Sequence, residues 1–127
     1  MITGKRNEDL VAELSVRNHH FLSGLPEKLG GHDEGPTPHE LLEAALTACT
    51  ILTAQMYAAR KGFALDSTDV TVKILSEGSE TVISREVSFR GKLTDEQKAR
   101  MSEIVEKCPI HLLLESNVKI NTTLSAE

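Results

Sequence analysis

Residues 37–62, TPHELLEAALTACTILTAQMYAARKG, constrain the fold more than any other stretch. Thr37 is a good helix N-cap, and Pro38 suits the first helical position, where a missing N–H costs nothing. Glu40 completes a T-x-x-E capping box. The pattern predicts a helix to about Lys61, with Gly62 as its stop. That helix is apolar nearly all round, so it must be covered on more than one side. The chain has 127 residues, which is one domain spanning 1–127. A domain of that size is hard pressed to cover such a helix alone, and the helix already points to a dimer. The apolar run is broken by Glu43, Thr47, Thr50, Thr53 and Gln55, short of the ~20 apolar residues of a confident bilayer span. A buried helix, and no membrane association, is expected.

The flanking segments read as strands and shorter helices. In DLVAELSVR, residues 9–17, Leu10, Ala12, Leu14 and Val16 alternate with polar residues, as in a half-buried strand. Residues 18–36 read as irregular, with GGHDEGP as a loop. Val70, Val72 and Ile74 share a face in 69–76. Ile83, Val87 and Phe89 share one in 81–90, and GSE at 78–80 joins the two runs as a hairpin. Thr94 to Gln97 forms a second capping box, opening a helix with Met101, Ile104, Val105 and Cys108 on one stripe. Pro109 interrupts it, and residues 110–115 add a further helical turn or two. Val118, Ile120, Thr122 and Leu124 alternate as a last strand. Antiparallel strands with segregated helices give an α+β fold.

Composition removes several functions. With no Trp, one Tyr and three Phe, the chain lacks aromatic faces for stacking bases, and a net charge of -5 disfavours phosphate binding. No nucleic-acid partner is expected. The N-terminus MITGKRNEDL has no apolar signal region, so the expected compartment is the cytoplasm. Two cysteines there point to catalysis, redox sensing or metal more than to a permanent disulfide.

Cys49 lies mid-helix among Ala45, Leu46, Leu52 and Thr53, where a thiol is either small buried packing or a nucleophile. Cys108 completes an apolar stripe and also falls at the N-cap of whatever follows Pro109, where backbone N–H groups favour a thiolate. Two core-facing thiols can form a reversible disulfide if their Cα atoms come within about 7 Å. Strand alternation puts Arg85 on the apolar face of its strand, so its guanidinium needs an anionic partner or an activating role beside a cysteine. Arg17, on a polar strand face, is the second candidate. Five histidines raise the question of metal, and Cys108-x-x-His111 has ligand-like spacing, but no second paired motif joins it. Glu40 lies nine residues from Cys49, about 13 Å along a regular helix and on the opposite face; His39 lies about 15 Å away. Neither touches Cys49 within a straight helix.

The stretch GGHDEGPTPHELLEAALTACTILTAQMYAARKG, followed by EKCPIHLLLES, resembles the OsmC/Ohr family of osmotically inducible and organic-hydroperoxide-resistance proteins. The similarity is to the OsmC-like branch with G-P-x-P-x-E-L-L, A-L-x-x-C and C-P-x-H. It spans about residues 30–116 and includes both cysteines. The resemblance implies an intertwined α+β homodimer, with antiparallel sheets packed on long central helices and active sites at the interface. It implies a thiol peroxidase acting on organic hydroperoxides, with Cys49 as peroxidatic and Cys108 as resolving cysteine. A dihydrolipoyl-type dithiol would be the reductant, and no cofactor is expected. It also implies an Arg paired with the nucleophile, here Arg85 or Arg17, and a Glu directly after the helix-start Pro. That position is His39 in this chain, and the acid follows at Glu40. Two other readings use the same residues: a non-enzymatic dimer that binds a hydrophobic small molecule, and a Cys/His metal-binding protein.

Overall fold

A computed structural model describes residues 1–125. The chain forms two compact units, Met1–Ala44 and a second beginning at Ala45. The first holds a three-stranded antiparallel meander, β1 (Thr3–Arg6), β2 (Ala12–Val16) and β3 (His19–Ser23), followed by a 3-10 turn at Glu27–Leu29. The second holds the hairpin β4 (Leu65–Ser76) and β5 (Val82–Gly91), then α2 (Asp95–Val105) and α3 (Pro109–Leu114). The long helix α1 (Pro38–Lys61) starts in the first unit and runs into the second.

The meander departs from the sequence expectation. The strand expected over 9–17 begins at Ala12 and ends at Val16, and Arg17, at φ 52°, turns the chain back. β3 then pairs with β2 through Leu14↔Phe21 and Ser15↔His20, in a segment expected to be irregular. Neither TGKR nor HHFLS alternates apolar and polar residues, so only the ladder to β2 makes them strands. The loop after β3 returns closely. Ser23 Oγ donates to the Pro36 carbonyl at 2.8 Å, and a Cβ at Gly35 would run into the Leu22 carbonyl.

The long helix has the boundaries its ends dictate. Thr37 N–H donates to Glu40 Oε1 at 2.9 Å, and Glu40 N–H donates to Thr37 Oγ1 at 3.2 Å, closing the capping box. At the far end Gly62 sits at φ 70°, Phe63 N–H reaches the Ala58 carbonyl and Gly62 N–H the Ala59 carbonyl. This is a Schellman stop. Its apolar contact is also present, as Phe63 meets Tyr57 edge to face with ring centroids 5.9 Å apart.

The core of the second unit lies between α1, the hairpin and α2. Ala54 and Ala58 of α1 pack with Met101 and Val105 of α2, and Val87, Phe89, Leu65 and Leu93 close around them. Small residues on α1 let the bulky Met101 reach full burial. The buried residues Leu46, Thr50, Ala54 and Ala58 fall every fourth position, one stripe of the helix. The other face is not covered: Leu52 and Met56 are 66% and 50% exposed. By length and composition α1 would also suffice to cross a membrane, but its buried stripe is packed as the core helix of a globular unit.

α2 begins at the expected capping box of Thr94 and Gln97 and carries the expected stripe. The strand expected at 118–124 is absent. Val118, Ile120 and Leu124 stand exposed in irregular chain, and no strand among the described residues pairs with them. An extended segment gains little without a ladder to share its N–H and C=O groups.

Met101 has no exposed surface. Met101→Ala should therefore cost about 2–5 kcal/mol, lost contacts plus the cavity left behind. Urea denaturation at fixed protein concentration checks this.

Candidate active site

Cys49 is half-buried on α1, and Cys108 is fully buried where α2 ends. Both thiols are free. Pro109 ends the α2 direction and opens α3, leaving Cys108 as its N-cap with extended backbone, φ -54° and ψ 127°. The residues after a helix start carry N–H groups with no partner inside the helix. Here the Ile110 N–H lowers the pKa of Cys49, and those of Ile110 and His111 act in the same sense on Cys108, whose side chain forms no capping hydrogen bond. Thr53, one turn along α1, lies 3.8 Å from Cys49 Sγ through its hydroxyl.

The two thiols influence each other and are pushed apart in acidity. Burial raises the Cys49 thiol, but hydrogen bonds from Cys108, the Ile110 N–H and Thr53, with the charge of Arg85, hold it below its ordinary value. Burial raises Cys108, and the bond it gives to Cys49 raises it further, against the N–H groups of His111 and Ile110. Of the two, Cys49 is the more acidic thiol and Cys108 the better keeper of a proton.

Arg85 is the cation of this site. Its side chain is only 10% exposed, opposite Val72 in the hairpin register. Nη1 donates to Thr50 Oγ1 at 3.2 Å, Nη2 donates to His111 Nδ1 at 2.9 Å, and Glu106 Oε2 lies 3.6 Å away. Thr50 is itself fully buried and donates to the Leu46 carbonyl at 2.7 Å. His111 Nε2 lies 2.8 Å from Glu115 Oε1. The anionic partner demanded by a buried arginine is thus Glu106, joined by Thr50 and His111 as further acceptors.

Cys49, Cys108 and Arg85 come together in the second unit. Arg17, His39 and Glu40 lie in the first. Arg17 is exposed at the tip of the β2–β3 hairpin, His39 is exposed in the first turn of α1, and Glu40 caps that helix. Thr50, Glu106 and Glu115 were not expected in the site, and His111 was considered only as a metal ligand. Among the described residues no group of three or more His, Cys, Asp or Glu gathers as a metal site, and both ring nitrogens of His111 have protein partners. The available signals were adjacency, for Thr50 beside Cys49, and i,i+4 spacing, for Glu115 after His111.

The family model described as OsmC-like protein matches residues 31–123, most of the chain. No curated protein matches. Among solved structures, the OsmC like protein from Mycoplasma pneumoniae aligns at TM-score 0.74 and 20% identity, over 92% of this chain and 87% of that one. An organic hydroperoxide resistance protein from Elizabethkingia anophelis, with thiocyanate bound, aligns at 0.67 and 21%, over 91% and 87%. The organic hydroperoxide resistance protein OhrB of Bacillus subtilis aligns at 0.59 and 18%, over 92% and 90%. These likenesses are of fold, α+β with antiparallel sheets and a long helix. With the family model matching so much of its length, the chain belongs to the OsmC-like protein family.

Proposed function

We propose that this protein is a cysteine-based peroxidase that reduces organic hydroperoxides. The observation that carries the reading is a pair of free thiols, one half-buried and one buried, with the nearly buried Arg85 guanidinium held on Thr50 beside Cys49. The names of the structural neighbours add support for a peroxide-related role. The Cys49 thiolate attacks the distal oxygen of ROOH, the O–O bond breaks, and Cys49 becomes a sulfenic acid. The leaving alkoxide takes a proton from solvent to give the alcohol. The Cys108 sulfur then attacks the sulfenic sulfur, forming the disulfide and releasing water, before irreversible over-oxidation. An external dithiol of the dihydrolipoyl type restores both thiols by exchange. Arg85, rather than Arg17, supplies the activating charge. The exposed Leu112 and Leu113, on the short helix that follows Cys108, favour a substrate with an apolar tail.

The protein acts as a homodimer in this reading. The uncovered α1 face of Leu52 and Met56, and the unpaired alternating segment 118–124, both call for a second copy. Free thiols of this kind fit the reducing cytoplasm.

Cumene hydroperoxide should consume both thiols of the wild-type chain at one equivalent, as read by thiol titration. Cys49→Ser should abolish the loss. Cys108→Ser should leave a sulfenic acid that dimedone traps. Unreacted wild-type thiols, together with a co-purified ligand in native mass spectrometry, would favour the binding-protein reading instead.

Alkylation of Cys49 by monobromobimane should rise with pH at a lower midpoint in the native protein than in the urea-denatured chain. Between those midpoints the unfolded state binds more protons, so the contribution of Cys49 to stability grows as pH rises and is lost as pH falls; Cys108, raised, contributes in the opposite sense. Arg85→Leu should move the native midpoint upward and slow peroxide reduction on the order of tenfold, each pKa unit being a factor of ten.

Sedimentation analysis should find a dimer, and Leu52→Glu should convert it to monomer by placing a charge on the apolar face.

A further inference from the structure

We propose that His111 is the residue that positions Arg85 for its work on Cys49, acting as a neutral imidazole with its proton on Nε2. The role rests on the reading of Cys49 as an activated thiolate. A guanidinium has only donors, so the 2.9 Å contact from Arg85 Nη2 requires a lone pair on His111 Nδ1. The proton is then on Nε2, where the Glu115 carboxylate accepts it at 2.8 Å. Glu106 Oε2 lies 3.6 Å from both Nε2 and Arg85 Nη2. The groups facing the ring are therefore Arg85 from β5, Glu106 beyond α2, Glu115 from α3 and, through the His111 N–H, Cys108 with its partner Cys49.

The polarity of the chain is fixed throughout. His111 donates to Glu115, Arg85 donates to His111 and to Thr50, and Thr50 donates to the Leu46 carbonyl. A neutral acceptor has an advantage that a carboxylate lacks. It fixes the orientation of the guanidinium without neutralising it, so the charge still acts on the thiolate. The carboxylates nearby are the exposed members of the group, Glu106 at 64% and Glu115 at 72%, where water weakens their pull on Arg85.

Two measurements on the full-length protein test this. Long-range proton–nitrogen NMR of the histidine rings, with the His111 signal assigned by its loss in His111→Asn, should show Nε2 protonated and Nδ1 bare near neutral pH. A ring protonated on Nδ1, alone or in the imidazolium, overturns the proposal, and this reading needs no leucine variant to fold. Second, His111→Leu should raise the midpoint of Cys49 alkylation by about half a unit, a roughly threefold slower reaction at fixed neutral pH and a smaller effect than Arg85→Leu. His111→Asn, whose amide oxygen can accept from Arg85, should recover most of that loss. Leucine and asparagine variants that fold and give equal midpoints overturn the role. A wild-type protein that ignores hydroperoxide while the midpoints move as stated loses the peroxidase reading and keeps His111. Unmoved midpoints with wild-type turnover intact do the reverse.

Discussion

A guanidinium cannot escape burial by losing its proton, so whatever surrounds Arg85 must be built to receive it. β5 drives this side chain into the unit because Ile83, Val87 and Phe89 on the same face have to be buried. Three elements then supply acceptors: Thr50 from α1, Glu106 at the end of α2 and His111 from α3. The arginine thus ties together the elements that carry the two cysteines. Breaking that arrangement would strand a charge, a larger penalty than the loss of any one surface ion pair. The charge that holds the elements together is also the charge that favours the Cys49 thiolate.

The two sulfurs differ because their burial differs and because each shifts the acidity of the other. Cys108, fully buried, is the poorer place for a charge; Cys49 is half-buried and faces Ile110 N–H, Thr53 and Arg85. The asymmetry assigns roles without reference to any substrate. The accessible sulfur suits the nucleophile of the proposed reaction, and the enclosed one suits the resolving thiol.

Much of this was legible in the residues. The limits of α1 followed from Thr37, Pro38, Glu40 and Gly62, each acting through its own backbone neighbours. The α2 capping box and the interruption at Pro109 were local signals of the same kind. Arg85 was conspicuous as a charge on an apolar strand face. β1 and β3 were not legible, because TGKR and HHFLS owe their conformation to a ladder formed with β2. The opposite error occurred at 118–124, where alternation was clear but no partner strand exists among the described residues. His111 was visible only as spacing from Cys108. Its partner Arg85 lies 26 residues away, and such a pairing is set by packing alone.

The geometry explains why so few residues suffice. On a helix, successive side chains are turned by about 100°, so Cys49 can face the rim while Thr50 points into the core. One step along α1 therefore provides both the nucleophile and an anchor for its cation. The sequence CPIH does the same on the other side. Proline at the first position of α3 surrenders an N–H that had no partner, and the next two N–H groups favour negative charge on the sulfur before them. His111, three residues after Cys108, then turns its ring to Arg85. His111 thus ties the short helix after Cys108 to the cation through its ring.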